Sequence, residues 1–77
     1  MKATVFSTTK CVWCDRVESM LKDASIEVDK IDVTESQDNF KQMKAHAGKG
    51  VNTVPQVVID DKFVGGYTEV ERFINHL

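Results

Sequence analysis

Ala3-Thr4-Val5-Phe6-Ser7, then Thr8-Thr9-Lys10, then Cys11-Val12-Trp13-Cys14: this stretch decides how the rest of the chain is read. The first five residues are short, β-branched and aromatic, the signature of a strand, and the polar residues after them form a loop. From Val12 to about Ala24 the apolar residues Val17, Met20, Leu21 and Ala24 recur at three- and four-residue spacing, which is the helical period. Helix one therefore begins at the cysteine pair.

Outward from there the pattern continues without a repeat, a low-complexity tract or a linker, so residues 1–77 are expected to form a single domain. Residues 26–33 read as a second strand, although the apolar phase slips between Val28 and Ile31, which predicts a bulge or a misplaced boundary. Thr34-Glu35-Ser36-Gln37 has the form of a capping box. Helix two follows it, with Phe40, Met43 and Ala47 on one face and Gly48 and Gly50 as the stop. Gln56-Val57-Val58-Ile59 and Lys62-Phe63-Val64 are separated only by Asp60-Asp61 and so form an antiparallel hairpin. Thr68-Glu69-Val70-Glu71 reads as another capping box, opening a third helix whose apolar face is Val70, Phe73, Ile74 and Leu77. The expected fold class is α/β: a four-stranded mixed sheet flanked by three helices in the order βαβαββα.

Composition removes several function classes. Ten Lys+Arg against twelve Asp+Glu give a net charge of −2, so no basic excess exists to neutralise a phosphate backbone, and nucleic acid is not an expected partner. The run Val57-Val58-Ile59 is far shorter than the ~20 apolar residues that span a bilayer, and Met1-Lys2-Ala3-Thr4 lacks the apolar core of a signal peptide. No membrane association and a cytoplasmic location are the expectations. Zinc needs four ligands, and besides the two cysteines only His46 and His76 are available, at the wrong spacing. Both histidines read as solvated side chains on polar helix faces.

Cys11 and Cys14 are the whole thiol inventory. A bridge between them closes so short a loop that it removes little unfolded-state entropy, and a junction between strand and helix is too open a place for inert core thiols. The pair reads as chemical. At the start of helix one, unpaired backbone N–H groups and the positive end of the macrodipole favour an anion, and thiols so placed ionise below their ordinary pKa of about 8.5. Lys10 adds a cationic field. Cys14, one turn further in, is expected to be buried and to resolve a mixed disulfide that Cys11 forms.

With Cys11-Val12-Trp13-Cys14 after a strand, Thr53-Val54-Pro55 before the hairpin and Gly65-Gly66-Tyr67-Thr68 after it, the sequence resembles the glutaredoxin family through essentially its whole length. The resemblance implies a thioredoxin-like fold and a glutathione-dependent thiol–disulfide oxidoreductase whose catalytic dithiol is Cys11 and Cys14. Glutathione is then the reducing co-substrate, no resident metal is expected, and the protein partners are disulfide-bonded or glutathionylated chains met by a monomer. Ribonucleotide reductase enters as one candidate acceptor, which no residue here specifies.

The resemblance also implies a binding site. The Val54-Pro55 bond is expected to be cis, with Val54 offering its backbone to the ligand and Thr53 beside it. Gly66, Tyr67, Thr68 and Glu69 bring the N-terminus of helix three to the γ-glutamyl end of glutathione, where the Thr68 and Glu69 N–H groups and the Thr68 hydroxyl suit a carboxylate. Lys10 would hold the glycyl carboxylate, and Lys41 or Gln42 of helix two would add a further contact. Three positions depart from the common pattern: Trp13 stands for tyrosine, Val12 for proline and Glu69 for aspartate. An indole still offers an apolar wall for the ligand, and the restored N–H of Val12 gives a thiolate one more donor.

Two other readings share these residues. One is a thioredoxin-like electron donor recharged by a flavoprotein reductase. The other is a carrier in which two chains and two glutathiones ligate a [2Fe–2S] cluster through Cys11, a role that Cys14 argues against because dedicated carriers of the family typically lack it.

Overall fold

A computed structural model describes all residues from Met1 to Leu77. Its elements are β1 (Lys2–Ser7), α1 (Val12–Asp23), β2 (Glu27–Asp32), α2 (Gln37–Ala47), β3 (Gln56–Ile59), β4 (Lys62–Gly65) and α3 (Tyr67–Asn75). The strands form one sheet in the order β2-β1-β3-β4. β1 and β2 run parallel across α1, and β3 and β4 join antiparallel, which is the expected βαβαββα arrangement.

Alternation along β1 and β3 divides the core between the two faces of the sheet. Ala3, Val5, Val57 and Ile59 meet Val17 and Leu21 of α1 and Val70 of α3 on one face. Phe6 and Val58 meet Met43 of α2, together with Val33, on the other. Burying a valine, leucine or phenylalanine side chain contributes about 1.5–3 kcal/mol, so the strand alternation and the helix faces together fix which side each helix takes.

Of the bulge or misplaced boundary expected in the second strand, the structure shows the boundary: β2 covers Glu27–Asp32 instead of residues 26–33, and no bulge interrupts it. β2 pairs with β1 in unbroken register from Lys2↔Glu27 to Ser7↔Asp32. The apolar phase slips because Val28 packs into the first core and Ile31 into the second, and residues three apart in a strand point to opposite faces. The irregularity lies instead between β3 and β4, where Val57 faces Gly65 and Val58 faces Phe63, leaving Val64 as the extra residue. Asp60 and Asp61 make the hairpin turn with φ of 49° and 67°, the geometry of a type I′ turn.

Both expected capping boxes are displaced by two residues. α2 is capped by Ser36, whose Oγ accepts the Asn39 N–H at 3.1 Å, while Thr34 donates through its N–H and hydroxyl to Asp32. α3 starts from Gly66, not Thr68, and the Glu69 carboxylate turns back to accept the Gly66 N–H at 3.1 Å. The Thr68 hydroxyl caps nothing. Since β2 parallels β1 and β4 is reversed twice from it, all three helices begin at the same end of the sheet.

Candidate active site

That common end gathers the three motifs. Cys11 follows β1, Pro55 precedes β3, and the Phe6↔Gln56 pairing sets the two segments side by side. Gly66 and Tyr67 follow β4, whose last residue Gly65 pairs with Val57. Gly66 lies against the proline segment so closely that a Cβ there would stand 3.3 Å from the Pro55 carbonyl oxygen. At Gly65, with φ of 129°, a Cβ would meet the Glu69 side chain at 2.9 Å, so glycine is required on both counts. The Val54-Pro55 bond is cis, as the sequence motif implied.

Cys11 is the N-cap of α1, in extended conformation with φ −112° and ψ 103°. Its Sγ accepts the Cys14 N–H at 3.1 Å. A negative charge on this sulfur is therefore met by a backbone donor and by the positive end of the helix. Cys11 is half-buried, whereas Cys14 is fully buried, and the two are joined as a disulfide with Cα atoms 5.2 Å apart. Lys10 precedes them with φ of 57°, a left-handed conformation that is uncommon outside glycine, asparagine and aspartate. Its side chain is exposed and takes part in none of the salt bridges.

Trp13 is 52% exposed. Tyr67, the first residue of α3, meets its indole edge-on with ring centroids 5.1 Å apart, and the Arg16 guanidinium lies 4.9 Å from the indole centroid. Val12, Arg16 and Tyr67 also line a cleft of about 590 Å³ between α1 and α3, with Met20, Ala24 and Ile74. Thr53 is exposed, with its carbonyl and hydroxyl oxygens accepting from the Gln56 amide at 3.1 and 3.2 Å. Val54 is half-buried against the core on the α2 side, and Pro55 is buried. Lys41 and Gln42 are exposed on α2 and make no side-chain hydrogen bond that would tie them to this end. No three His, Cys, Asp or Glu side chains converge on a metal-sized site.

A sequence profile of the family described as Glutaredoxin matches residues 3–64, which include the Cys-Val-Trp-Cys segment, the cis proline and most of the hairpin. The chain belongs to the glutaredoxin family. It is 28% identical to Glutaredoxin 1 of Escherichia coli over 96% of its own length and 93% of that protein. Its structure is similar to that of reduced Escherichia coli glutaredoxin, with a TM-score of 0.84 and 25% identity over 99% of this chain and 95% of that one. It is similar also to a buckwheat glutaredoxin–glutathione complex, with a TM-score of 0.78 and 28% identity over 96% of this chain and 68% of that one.

As a glutaredoxin the protein is a thiol–disulfide oxidoreductase. Its geometry accounts for that chemistry: a nucleophile needs one accessible sulfur with its charge stabilised, and a resolving group one turn away, out of reach of bulky substrates. Reading the glutaredoxin motifs alone misses two residues. Gln56 ties down the loop before the cis proline, and nothing in its spacing marks it, since the bond depends on a backbone turn. Arg16 was legible in principle, because a residue three places after Trp13 shares its helix face.

Proposed function

We propose that this glutaredoxin reduces glutathionylated proteins and protein disulfides with glutathione as its reductant. The observation that carries the reading is the unequal placement of the two sulfurs, Cys11 half-buried at a helix cap and Cys14 wholly enclosed. The buckwheat relative, solved with glutathione, supports the choice of reductant.

With a glutathionylated protein, the Cys11 thiolate attacks the glutathione sulfur. A Cys11–glutathione disulfide forms, and the protein thiolate leaves and takes a proton from solvent. A second glutathione, as thiolate, attacks the sulfur of the bound glutathione, which releases glutathione disulfide and returns Cys11 to its thiolate. With a protein disulfide, Cys11 attacks one sulfur and Cys14, deprotonated, attacks Cys11 in the mixed disulfide. That leaves the Cys11–Cys14 disulfide and a reduced substrate, and two glutathiones restore the dithiol.

Glutathione lies across the end of the sheet in this reading. Val54 pairs its backbone with the cysteinyl residue, beside Thr53 and Pro55, and Trp13 supplies an apolar wall. The free N–H groups in the first turn of α3, at Tyr67, Thr68 and Glu69, receive the γ-glutamyl carboxylate, with Gly66 admitting the close approach. Glu69 uses one carboxylate oxygen on Gly66, which leaves the other to accept from the ligand's amino group. Lys10 holds the glycyl carboxylate. A reducing compartment such as the cytoplasm suits an enzyme recharged in this way.

The test is the initial rate of reduction of a glutathionylated peptide, with glutathione and glutathione reductase recharging the protein. Saturable turnover is expected, and Cys14→Ser keeps it while losing the reduction of protein disulfides that need intramolecular resolution. A rate no faster than the uncatalysed background would sink the glutathione reading and leave the flavoprotein-recharged donor in its place.

A further inference from the structure

We propose that Arg16 is a positioning residue for disulfide exchange, holding the Trp13 indole in place beside Cys11. Trp13 is the chain's single tryptophan, stands between the two cysteines in the sequence, and is half exposed to solvent. An exposed ring at the second position of a helix is held only by what touches it. Two groups from different elements touch it. Arg16, one turn further along α1, places its guanidinium 4.9 Å from the indole centroid. Tyr67, at the start of α3, closes edge-on at 5.1 Å and 68°.

The guanidinium is not engaged elsewhere. None of the four salt bridges includes Arg16, and its neighbour Asp15 pairs with Lys30 at 3.3 Å across to β2. No side-chain hydrogen bond uses it. A cation with no carboxylate partner, stacked on the aromatic ring that flanks the nucleophile, acts through that ring: it keeps the indole from sampling rotamers that a bound disulfide substrate would have to freeze out. Its effect falls on substrate binding and not on the bond-making step.

The inference rests on the glutathione reading only for the choice of first substrate, a glutathionylated peptide. Arg16→Met removes the charge and keeps an unbranched flexible stem, and Arg16→Lys restores a cation without the planar group. Arg16→Met is expected to raise KM roughly twofold to fivefold, the equilibrium factor of one exposed cation–π contact, with kcat within about twofold of the parent. The fluorescence anisotropy of Trp13 in the reduced protein should fall, and Arg16→Lys should recover most of both losses. An unchanged KM, or an unchanged anisotropy, in Arg16→Met overturns the assignment. KM recovered by Arg16→Lys without recovery of anisotropy overturns it as well, because the charge would then act directly on substrate. If the parent protein fails to turn over the glutathionylated peptide, the glutathione reading fails alone. Arg16 is then judged on insulin reduction with dithiothreitol as reductant, where the same KM rise and anisotropy loss are required.

Discussion

Two strand-to-helix junctions leave the same end of the sheet, one from β1 into α1 and one from β2 into α2, and they solve one problem with different atoms. Each helix start needs an acceptor for an N–H that has no partner within the helix. In α2 it is the Ser36 Oγ, accepting from Asn39 three residues on at 3.1 Å. In α1 it is the Cys11 Sγ, accepting from Cys14 three residues on at the same distance. The second junction uses up its polar groups on itself: Asp32 accepts from the Thr34 N–H and hydroxyl, and the Asn39 amide donates to the Asp32 carbonyl. The first leaves Lys10 in a left-handed conformation with its amine unpaired. One atom, sulfur for oxygen, turns an ordinary cap into a nucleophile, and the unengaged groups around it are what a substrate can meet.

The largest effect expected from breaking this comparison is at Cys11. Cys11→Ser and Cys11→Ala both abolish thiol exchange, since neither leaves a sulfur at the cap. Their stabilities under reducing conditions should separate, because serine can accept the Cys14 N–H and alanine cannot. The alanine variant should be less stable by about 1 kcal/mol, the usual worth of an N-cap side chain, in urea unfolding. Equal stability would mean that the sulfur contact is incidental to the helix. Ser36→Ala makes the complementary change: about 1 kcal/mol of stability lost, or a Tm lower by roughly 4–8 °C in a domain of this size, with thiol exchange untouched. A loss of exchange activity in Ser36→Ala would show that the two junctions are coupled.

How far these features could be read from sequence depends on whether a residue's role is local. The cysteine junction was legible because a β-branched run, a polar loop and a helical period meet at Cys11, and three levels of pattern agree there. The caps of α2 and α3 were misplaced by two residues for a definite reason. Thr34-x-x-Gln37 and Thr68-x-x-Glu71 satisfy the capping-box spacing as well as the true starts at Ser36 and Gly66 do, and a glycine cap has no side chain to announce itself. The Gly66–Glu69 contact follows the same three-residue spacing and was available as a signal. The phase slip in β2 is visible in the sequence but reads there as a bulge or a misplaced boundary, because a strand that feeds two cores is recognised only when the helices on both faces are known. The Trp13–Tyr67 contact joins residues more than fifty positions apart, and no local pattern encodes it.

The smallest effect concerns the polar approach to α2 and is read against pH. The Thr34 hydroxyl, and after it the Thr34 N–H, donate to Asp32 and hold its carboxyl below the usual carboxylate range. A carboxyl with its folded pKa depressed binds fewer protons folded than unfolded, so this contribution to stability is complete above the unfolded value of about 4 and is lost as pH falls through the folded one. Thr34→Val removes the hydroxyl donor and keeps the N–H, which moves the folded pKa of Asp32 back towards its unfolded value. The variant should lie slightly below the parent in stability at neutral pH, and the gap should close as the solution is acidified below about pH 4. Urea midpoints measured across that range at fixed ionic strength, for parent and variant together, give the difference directly. A gap that stays constant with pH would assign the loss to the hydroxyl's packing and not to the charge of Asp32.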